Sequence, residues 1–383
     1  MSPEGPATTQ PGFVEPAYAR GSLGELLPAV AAALGAPIEE EPRDQVDLGL
    51  APGAGYVVFL VDGLGAGLLA RHAEEAPFLA SGTRGLGLTA CVPSTTATSL
   101  TSLGTALPPG SHGIVGFTSR IPGTERLLDA LRWDKRVIPE EWQPHPTAFT
   151  RMRSAGIGVT VVNKREFRGS GLTVAAQRGA EYVGADRVGE RIAAAVTASS
   201  GAPSMTYLYD GDLDWTGHRY GVASTAWRRQ LAMIDAQAEQ LREALPSSVR
   251  LLVIADHGMV DGGVAGRVDV DTEPALREGV LLVGGEARFR HLYCHRGAVD
   301  DVVATWRERL GDRAAVLTRD EAAARGWFGA LDPVVRPRIG DVVVACAGDA
   351  AVVASASFAY ESTLVGLHGS LTAEEMLVPL LAF

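Results

Sequence analysis

Four apolar runs in this chain each read as a strand buried on both faces, and three of them stop at an aspartate. Residues 56–61 (YVVFLV) run into Asp62-Gly63, residues 205–209 (MTYLY) into Asp210, and residues 250–255 (RLLVIA) into Asp256-His257. The fourth, residues 157–163 (IGVTVVN), follows a helical stretch. Val-rich runs that do not alternate in polarity suit a parallel sheet covered on both faces. Helical segments separate them, with VGERIAAAVTAS before residue 205 and a long helix at 224–244 before residue 250. The expected fold is therefore α/β, a mostly parallel central sheet with helices on both faces. Such sheets bind ligands beyond the carboxyl ends of their strands. Asp62, Asp210 with Asp212 and Asp214 following, and Asp256 are thus expected to converge.

Residues 1–20 are polar and Pro-rich and read as a loose N-terminal arm. A helix is expected at 22–35, stopped by Gly35 with Pro37 beyond. The α/β catalytic core spans 21–261 and 365–383. Between them, 262–364 changes character, with short strands (GVLLVGG, ARFRHLYCH, DVVVACAG) and one helix (VDDVVATWRERLG). It reads as a smaller α+β insert or cap, and a last helix is expected at 371–380.

With 34 basic against 45 acidic residues, the net charge is −11. A surface of that sign repels a phosphate backbone, which argues against a nucleic-acid partner. A small phosphorylated substrate is not excluded, because bound cations reverse the field locally. No apolar run approaches the ~18–20 residues of a membrane span, so no membrane partner is expected. The N-terminus lacks the basic start and apolar run of a signal peptide. Three distant cysteines, Cys91, Cys294 and Cys346, suggest no disulfide framework. The expectation is a cytoplasmic protein.

Asp256-His257-Gly258 offers an oxygen and an imidazole at one strand end, a pair that Zn²⁺ accepts. A capped turn beside a surface His would look the same. Asp214 and His218 are four apart, so on a helix they share a face; a solvated acidic loop is the alternative. His368 sits among glycines, which let backbone approach a ligand. Asp62-Gly63 by itself reads as a turn. Residues 92–116 (VPSTTATSLTSLGTALPPGSHGIVG) place five hydroxyl side chains at 94–99, at the start of a helix. Free N–H groups there suit a phosphoryl group, and a Thr can act as nucleophile. A plain Ser/Thr capping cluster is the bland reading.

Taken in order, Asp62, the Thr cluster, Asp214-x-x-x-His218, Asp256-His257-Gly258 and His368-Gly369 resemble the nucleotide pyrophosphatase/phosphodiesterase (type I phosphodiesterase) family of the alkaline phosphatase superfamily. The resemblance spans roughly 56–118, 205–260 and 366–383. It implies an alkaline phosphatase-like fold and a two-metal hydrolase of phosphate esters. In that family the nucleophilic Thr lies sixteen residues before the His of a Ser-His-Gly-Ile motif. The matching motif, Ser111-His112-Gly113-Ile114, points to Thr96, with Thr95 and Thr98 as near misses and His112 as a structural residue. The resemblance assigns Asp214, His218 and His368 to one divalent ion. It assigns Asp62, Asp256, His257 and the Thr96 oxygen to the other. The implied ions are zinc, although the donors also tolerate Mn or Fe. A phospho-Thr96 intermediate and a small phosphorylated substrate, a nucleotide or similar, follow from the same likeness.

The sequence departs from the family at Phe117, where an Asn often holds a phosphate oxygen. Phe117 is read either as packing on an apolar part of the substrate or as core. No Arg beside Thr96 stands out as a phosphate clamp, which favours diesters over monoesters. Cys91-Val-Pro-Ser-Thr95 brings to mind the sulfatase Cys-x-Pro-x-Arg sequence, but Thr95 occupies the Arg position, so Cys91 is read as a buried strand-end residue. The alternative activities are a phosphomonoesterase or a phosphonate (C–P) hydrolase on the same site. A phosphomutase, a sulfatase and a catalytically silent binding protein rank below them.

Overall fold

The computed structural model describes residues 12–38, 46–85, 87–263 and 266–383. Five strands build the parallel part of the central sheet. They are β1 (Gly55–Val61), β2 (Gly158–Asn163), β3 (Glu181–Gly184), β4 (Ser204–Asp210) and β5 (Val249–Ile254), ordered β5-β1-β4-β2-β3. A short strand at Leu380–Ala382 pairs antiparallel with β5, and Thr83–Arg84 pairs antiparallel with it at the edge. The fold is thus the mostly parallel α/β architecture that the apolar runs require. Every residue of β1 is buried, as expected of a strand covered on both faces.

The register explains why Asp62 and Asp256 meet, whereas the expected convergence of Asp210 and Asp212 is not seen, since they pair with Arg191 and Lys164. Val61 lies opposite Asp210 on β4, and Leu60 lies opposite Ile254 on β5. Asp62 and Asp256 each come two residues after that last pair, so they leave the sheet side by side.

Four helices pack around this sheet, α1 (Thr96–Thr105), α2 (Val188–Ala198), α3 (Asp212–Tyr220) and α4 (Thr225–Ala244), of which α1 and α3 carry candidate site residues. Helix α4 starts where the Ser224 side chain accepts a hydrogen bond from the Trp227 N–H. Its Trp227, Leu231, Ile234, Ala238 and Leu241 recur at helical spacing and are all buried. Helix α1 is short-chained, and every residue from Ala97 to Thr105 is buried. A Cβ on Gly104 would sit 1.9 Å from the Ala176 carbonyl oxygen, so only glycine permits that approach.

The insert folds around a four-stranded antiparallel sheet. Its strands are β6 (Val280–Glu286), β7 (Phe289–Cys294), β8 (Ala314–Thr318) and β9 (Val342–Cys346), in the order β6-β7-β9-β8. Alternate residues of β9 separate two cores. Val342, Val344 and Cys346 pack with Trp306 of helix α5 (Val299–Leu310), whereas Val343 and Ala345 join the main core. The β6–β7 hairpin therefore enters the body of the molecule.

Two local expectations are corrected. The helix expected at 371–380 is one turn, Ala373–Met376, followed by strands Leu377–Val378 and Leu380–Ala382. Pro379 has no N–H to continue a helix, and Leu380 and Leu381 gain burial against β5. The helix expected at 22–35 opens as a 3₁₀ turn, Leu23–Glu25, and becomes α-helical over Leu26–Ala33. Of the arm expected at 1–20, residues 1–11 lie outside the described residues. Phe13 bridges Thr372, Val14 N–H donates to the Leu371 carbonyl at 2.7 Å, and Tyr18 donates to the Trp327 carbonyl at 2.9 Å. No helix among the described residues is long and apolar enough to cross a membrane.

Candidate active site

The strand ends, the start of α1, helix α3 and the Gly366–Leu367 strand bring all seven candidate residues into one cluster. Gly63 (φ +76°) turns the chain sharply after Asp62 and donates its N–H to Asp256 Oδ1 at 3.2 Å. Thr96 is the first residue of α1. Its Oγ1 lies 3.4 Å from Asp62 Oδ2 and 3.2 Å from His257 Nε2. His257 Nε2 also faces Asp62 Oδ1 at 3.4 Å and Asp256 Oδ2 at 3.6 Å. Beside this group, His218 Nε2 is 3.4 Å from Asp214 Oδ2, and His368 Nε2 is 3.8 Å from Asp214 Oδ1. The His257 and His368 rings stack with centroids 3.7 Å apart, joining the two halves.

The imidazoles are held in one tautomer. Nδ1 of His218, His257 and His368 contacts the carbonyl oxygens of Gly366, Gly258 and Ser94 at 2.8, 2.9 and 2.9 Å. A carbonyl only accepts, so each Nδ1 carries the hydrogen and each Nε2 presents a lone pair. Two such lone pairs, on His218 and His368, face each other at 3.2 Å. They repel unless a cation lies between them.

The carboxylates make the same demand. Asp62 Oδ1, Asp214 Oδ1 and Asp256 Oδ2 are buried without a hydrogen-bond partner. Burial, reinforced by Asp256 and Asp214, holds the Asp62 carboxyl well above its usual range. Burial and Asp214 push Asp256 up to about 7. Burial, with His257 and His218 alongside, keeps His368 well below the usual imidazole value. Crowded acids with no counter-charge and imidazoles with free lone pairs fit divalent cations. Asp62, Asp256 and His257 bring donor atoms within 4.8 Å of one another, and so do Asp214, His257 and His368. His257 is within reach of both groups, but its shortest contacts are on the Thr96 side.

Residues 56–371 match the family model described as type I phosphodiesterase/nucleotide pyrophosphatase. The chain belongs to this family. It is a metal-dependent phosphoric ester hydrolase of the phosphodiesterase/pyrophosphatase type. No curated protein sequence gives a significant match. Among solved structures, murine ectonucleotide pyrophosphatase/phosphodiesterase 5 is similar with a TM-score of 0.68 at 18% identity, over 85% of this chain and 87% of that one. An inactive variant of the murine protein in complex with AMP gives 0.67 at 17% identity, with the same coverage. The human counterpart gives 0.63 at 16%, again over 85% and 87%. At these identities the likeness is one of fold, the alkaline phosphatase-like architecture.

Two cavities of about 380 Å³ each border Thr96 in this family member. Both are lined by Thr96, Leu131, Asp214, Trp215 and His218. The first extends over Phe117, Glu286 and Tyr360, and the second over Asn163, Phe167 and Tyr209. Phe117 is half-buried and lines the first cavity, where its ring meets Tyr360 edge-on at 6.1 Å. Thr95 occupies the N-cap position of α1 without a side-chain capping bond and lines the same cavity, whereas Thr98 is fully buried. His112 is a buried turn residue, with Nε2 2.8 Å from Ser102 Oγ and Nδ1 accepting from the Ile114 N–H. Cys91 is fully buried, and burial pushes its thiol up to about 12.

Sequence reasoning missed Tyr209 and Glu286. The Tyr209 hydroxyl donates to Asp62 Oδ2 and fixes that carboxylate. Its place one residue before the β4 aspartate was the available signal. Glu286 gave none, because it lies in the insert and reaches the site only through the hairpin.

Proposed function

We propose that this protein hydrolyses phosphodiesters of small molecules, nucleotides or similar, through a phospho-Thr96 intermediate. The observation that carries the diester reading is the pair of adjoining cavities that both border Thr96. A phosphodiester has two organic arms and a monoester one, and each cavity has room for an arm. The AMP complex of the murine relative supports a nucleotide-like arm.

The donor set suits two divalent ions, zinc by its mixture of imidazole and carboxylate. Asp214, His218 and His368 would hold one; Asp62, Asp256, His257 and the Thr96 oxygen would hold the other. When bound, such ions supply Lewis acidity and counter-charge for the phosphoryl oxygens. The chain supplies the rest. Helix α1 aims the Thr96 hydroxyl from its first turn, whose N–H groups have no intrahelical partner and are free for a phosphoryl oxygen. Thr96 Oγ1 attacks phosphorus in line with the departing ester oxygen. A new P–O bond forms to Thr96, the bond to the leaving arm breaks, and that arm departs as an alcohol with a proton. Water then attacks phosphorus from the vacated side, the bond to Thr96 breaks, and the monoester leaves. Tyr209 and the three carbonyls on the histidine Nδ1 atoms keep the donors in place throughout.

The three cysteines are free, which supports a reducing, cytoplasmic setting. The deciding assay compares bis-p-nitrophenyl phosphate, p-nitrophenyl phosphate and phosphonoacetate with the zinc- or manganese-loaded protein. Diester turnover is expected to be fastest, and to vanish on chelation. Faster turnover of the monoester or the phosphonate would overturn this reading.

A further inference from the structure

Three charged side chains at the tip of the β6–β7 hairpin are buried in the body of the molecule: Glu286, Arg288 and Arg290. Arg288 is matched by Glu375, with Nη2 and Oε2 2.6 Å apart. Arg290 is matched by Glu361. Glu286 has no such charged partner, only hydrogen bonds from the Thr95 side chain and the Phe117 backbone N–H. It is 8% exposed, and its Oε1 is buried without a hydrogen bond. Arg290 stands close enough to act on Glu286, but it is already engaged by Glu361. Two carboxyl groups thus share one guanidinium, and this corner lacks one positive charge.

Buried charges in folded proteins are paired or they neutralise. Burial pushes the Glu286 carboxyl up to about 8, against the lowering effect of the Thr95 hydroxyl, Arg290 and the Phe117 N–H. The group is not sealed in the core, however. It lines the first cavity together with Thr96, and Phe117 and Tyr360 form an aromatic wall beside it. A buried carboxylate and aromatic rings lining one cavity make the environment an ammonium group seeks, through charge-assisted hydrogen bonds and the negative ring faces. Arg219 also borders this cavity, but it is exposed, where water and salt screen its charge.

We propose that Glu286 recognises one ester arm of the substrate, and that this arm carries an N–H-bearing ammonium group. The inference rests on the diester reading above and deepens it. The bound cation supplies the missing charge.

The test uses the full-length, metal-loaded protein and p-nitrophenyl phosphodiesters whose second arm is aminoethyl, aminopropyl or aminobutyl. Each is compared with the alkyl ester of the same length, in which a methyl replaces the ammonium. At one or more lengths the amino ester should be favoured about tenfold or more in kcat/KM. In Glu286→Gln that ratio should fall to within about threefold of unity. Glu286→Met should do the same, so the result does not depend on one variant folding. Equal turnover of amino and alkyl esters at every length would overturn the assignment of Glu286 and leave the diesterase reading intact. A preference that survives both substitutions would also overturn it. Hydrolysis of none of the esters would overturn both readings together.

Discussion

Arg288, at the hairpin tip of the insert, forms a two-point ion pair with Glu375 of the C-terminal segment, Nε to Oε1 at 3.0 Å and Nη2 to Oε2 at 2.6 Å. Both side chains are fully buried. Glu375 also accepts the Ser370 N–H at 3.0 Å and the Thr372 hydroxyl at 2.6 Å. The pair therefore ties the insert to the segment that presents His368. Removing one partner leaves the other charge buried and alone. Arg288→Met is expected to lower stability by about 3–5 kcal/mol in denaturant titrations. Adding Glu375→Gln should recover part of that loss, because the stranded charge disappears. If the single variant costs under about 1 kcal/mol, the pair does not hold the two parts together.

Thr96 is the only candidate nucleophile whose hydroxyl approaches both Asp62 and His257. Thr96→Ala is expected to lower kcat by about 10³-fold or more. No phosphoryl adduct should then appear by intact-mass spectrometry after acid quench. Thr96→Ser should retain the adduct. An adduct in the Ala variant, mapped to Thr95 or Thr98, would move the nucleophile.

The Tyr209 hydroxyl bonds Asp62, a proposed metal donor, and its side chain lines the second cavity. Tyr209→Phe keeps the ring and removes that bond. The expected loss is about 10–100-fold in metal affinity or activity, read by competition with a chelator and by rate. Unchanged affinity and rate would show that Asp62 is oriented by Gly63 and the β1 backbone alone.

His112 gives the fold an acid-sensitive point away from the metal donors. Burial, with His145 and Arg338 nearby, lowers its pKa from 6.5 to about 3. Between those values the unfolded chain binds a proton that the folded one refuses. Stability therefore falls as pH drops below 6.5 and is complete above it. Buried His291, lowered to about 4, acts in the same direction. The slope from one such group is about 1.4 kcal/mol per pH unit. His112→Asn should flatten the dependence of the denaturation midpoint between about pH 4 and pH 6. An unchanged slope would refute this source of acid sensitivity.

Where the sequence was legible, the reason was periodicity. Runs such as 56–61 and 250–255 can be satisfied only by strands buried on both faces, and the aspartates that end them must sit at the sheet's carboxyl edge. The spacing from His112 to Thr96 and the ordered Asp and His motifs marked seven positions that the structure brings together. Legibility failed where a tertiary partner overrode local pattern. Residues 377–382 look apolar enough for a helix, yet β5 offers an open edge and Pro379 prevents the helix from continuing. Phe117 was open between core and substrate until the position of Tyr360 placed it on a cavity wall.

By itself, the sequence determined the sheet and which aspartates end its strands, because these depend on short-range pattern and on chain order, while the proposed donor set came from the ordered motifs of the family resemblance. The tertiary structure alone decided what surrounds them. Three backbone carbonyls fix the histidine tautomers, Tyr209 steadies Asp62, and a hairpin from a distant insert places Glu286 beside Thr96. Such contacts join residues as many as 274 positions apart. Apart from the contact of His257 with its neighbour Gly258, they join elements far apart in the chain, which no local period records.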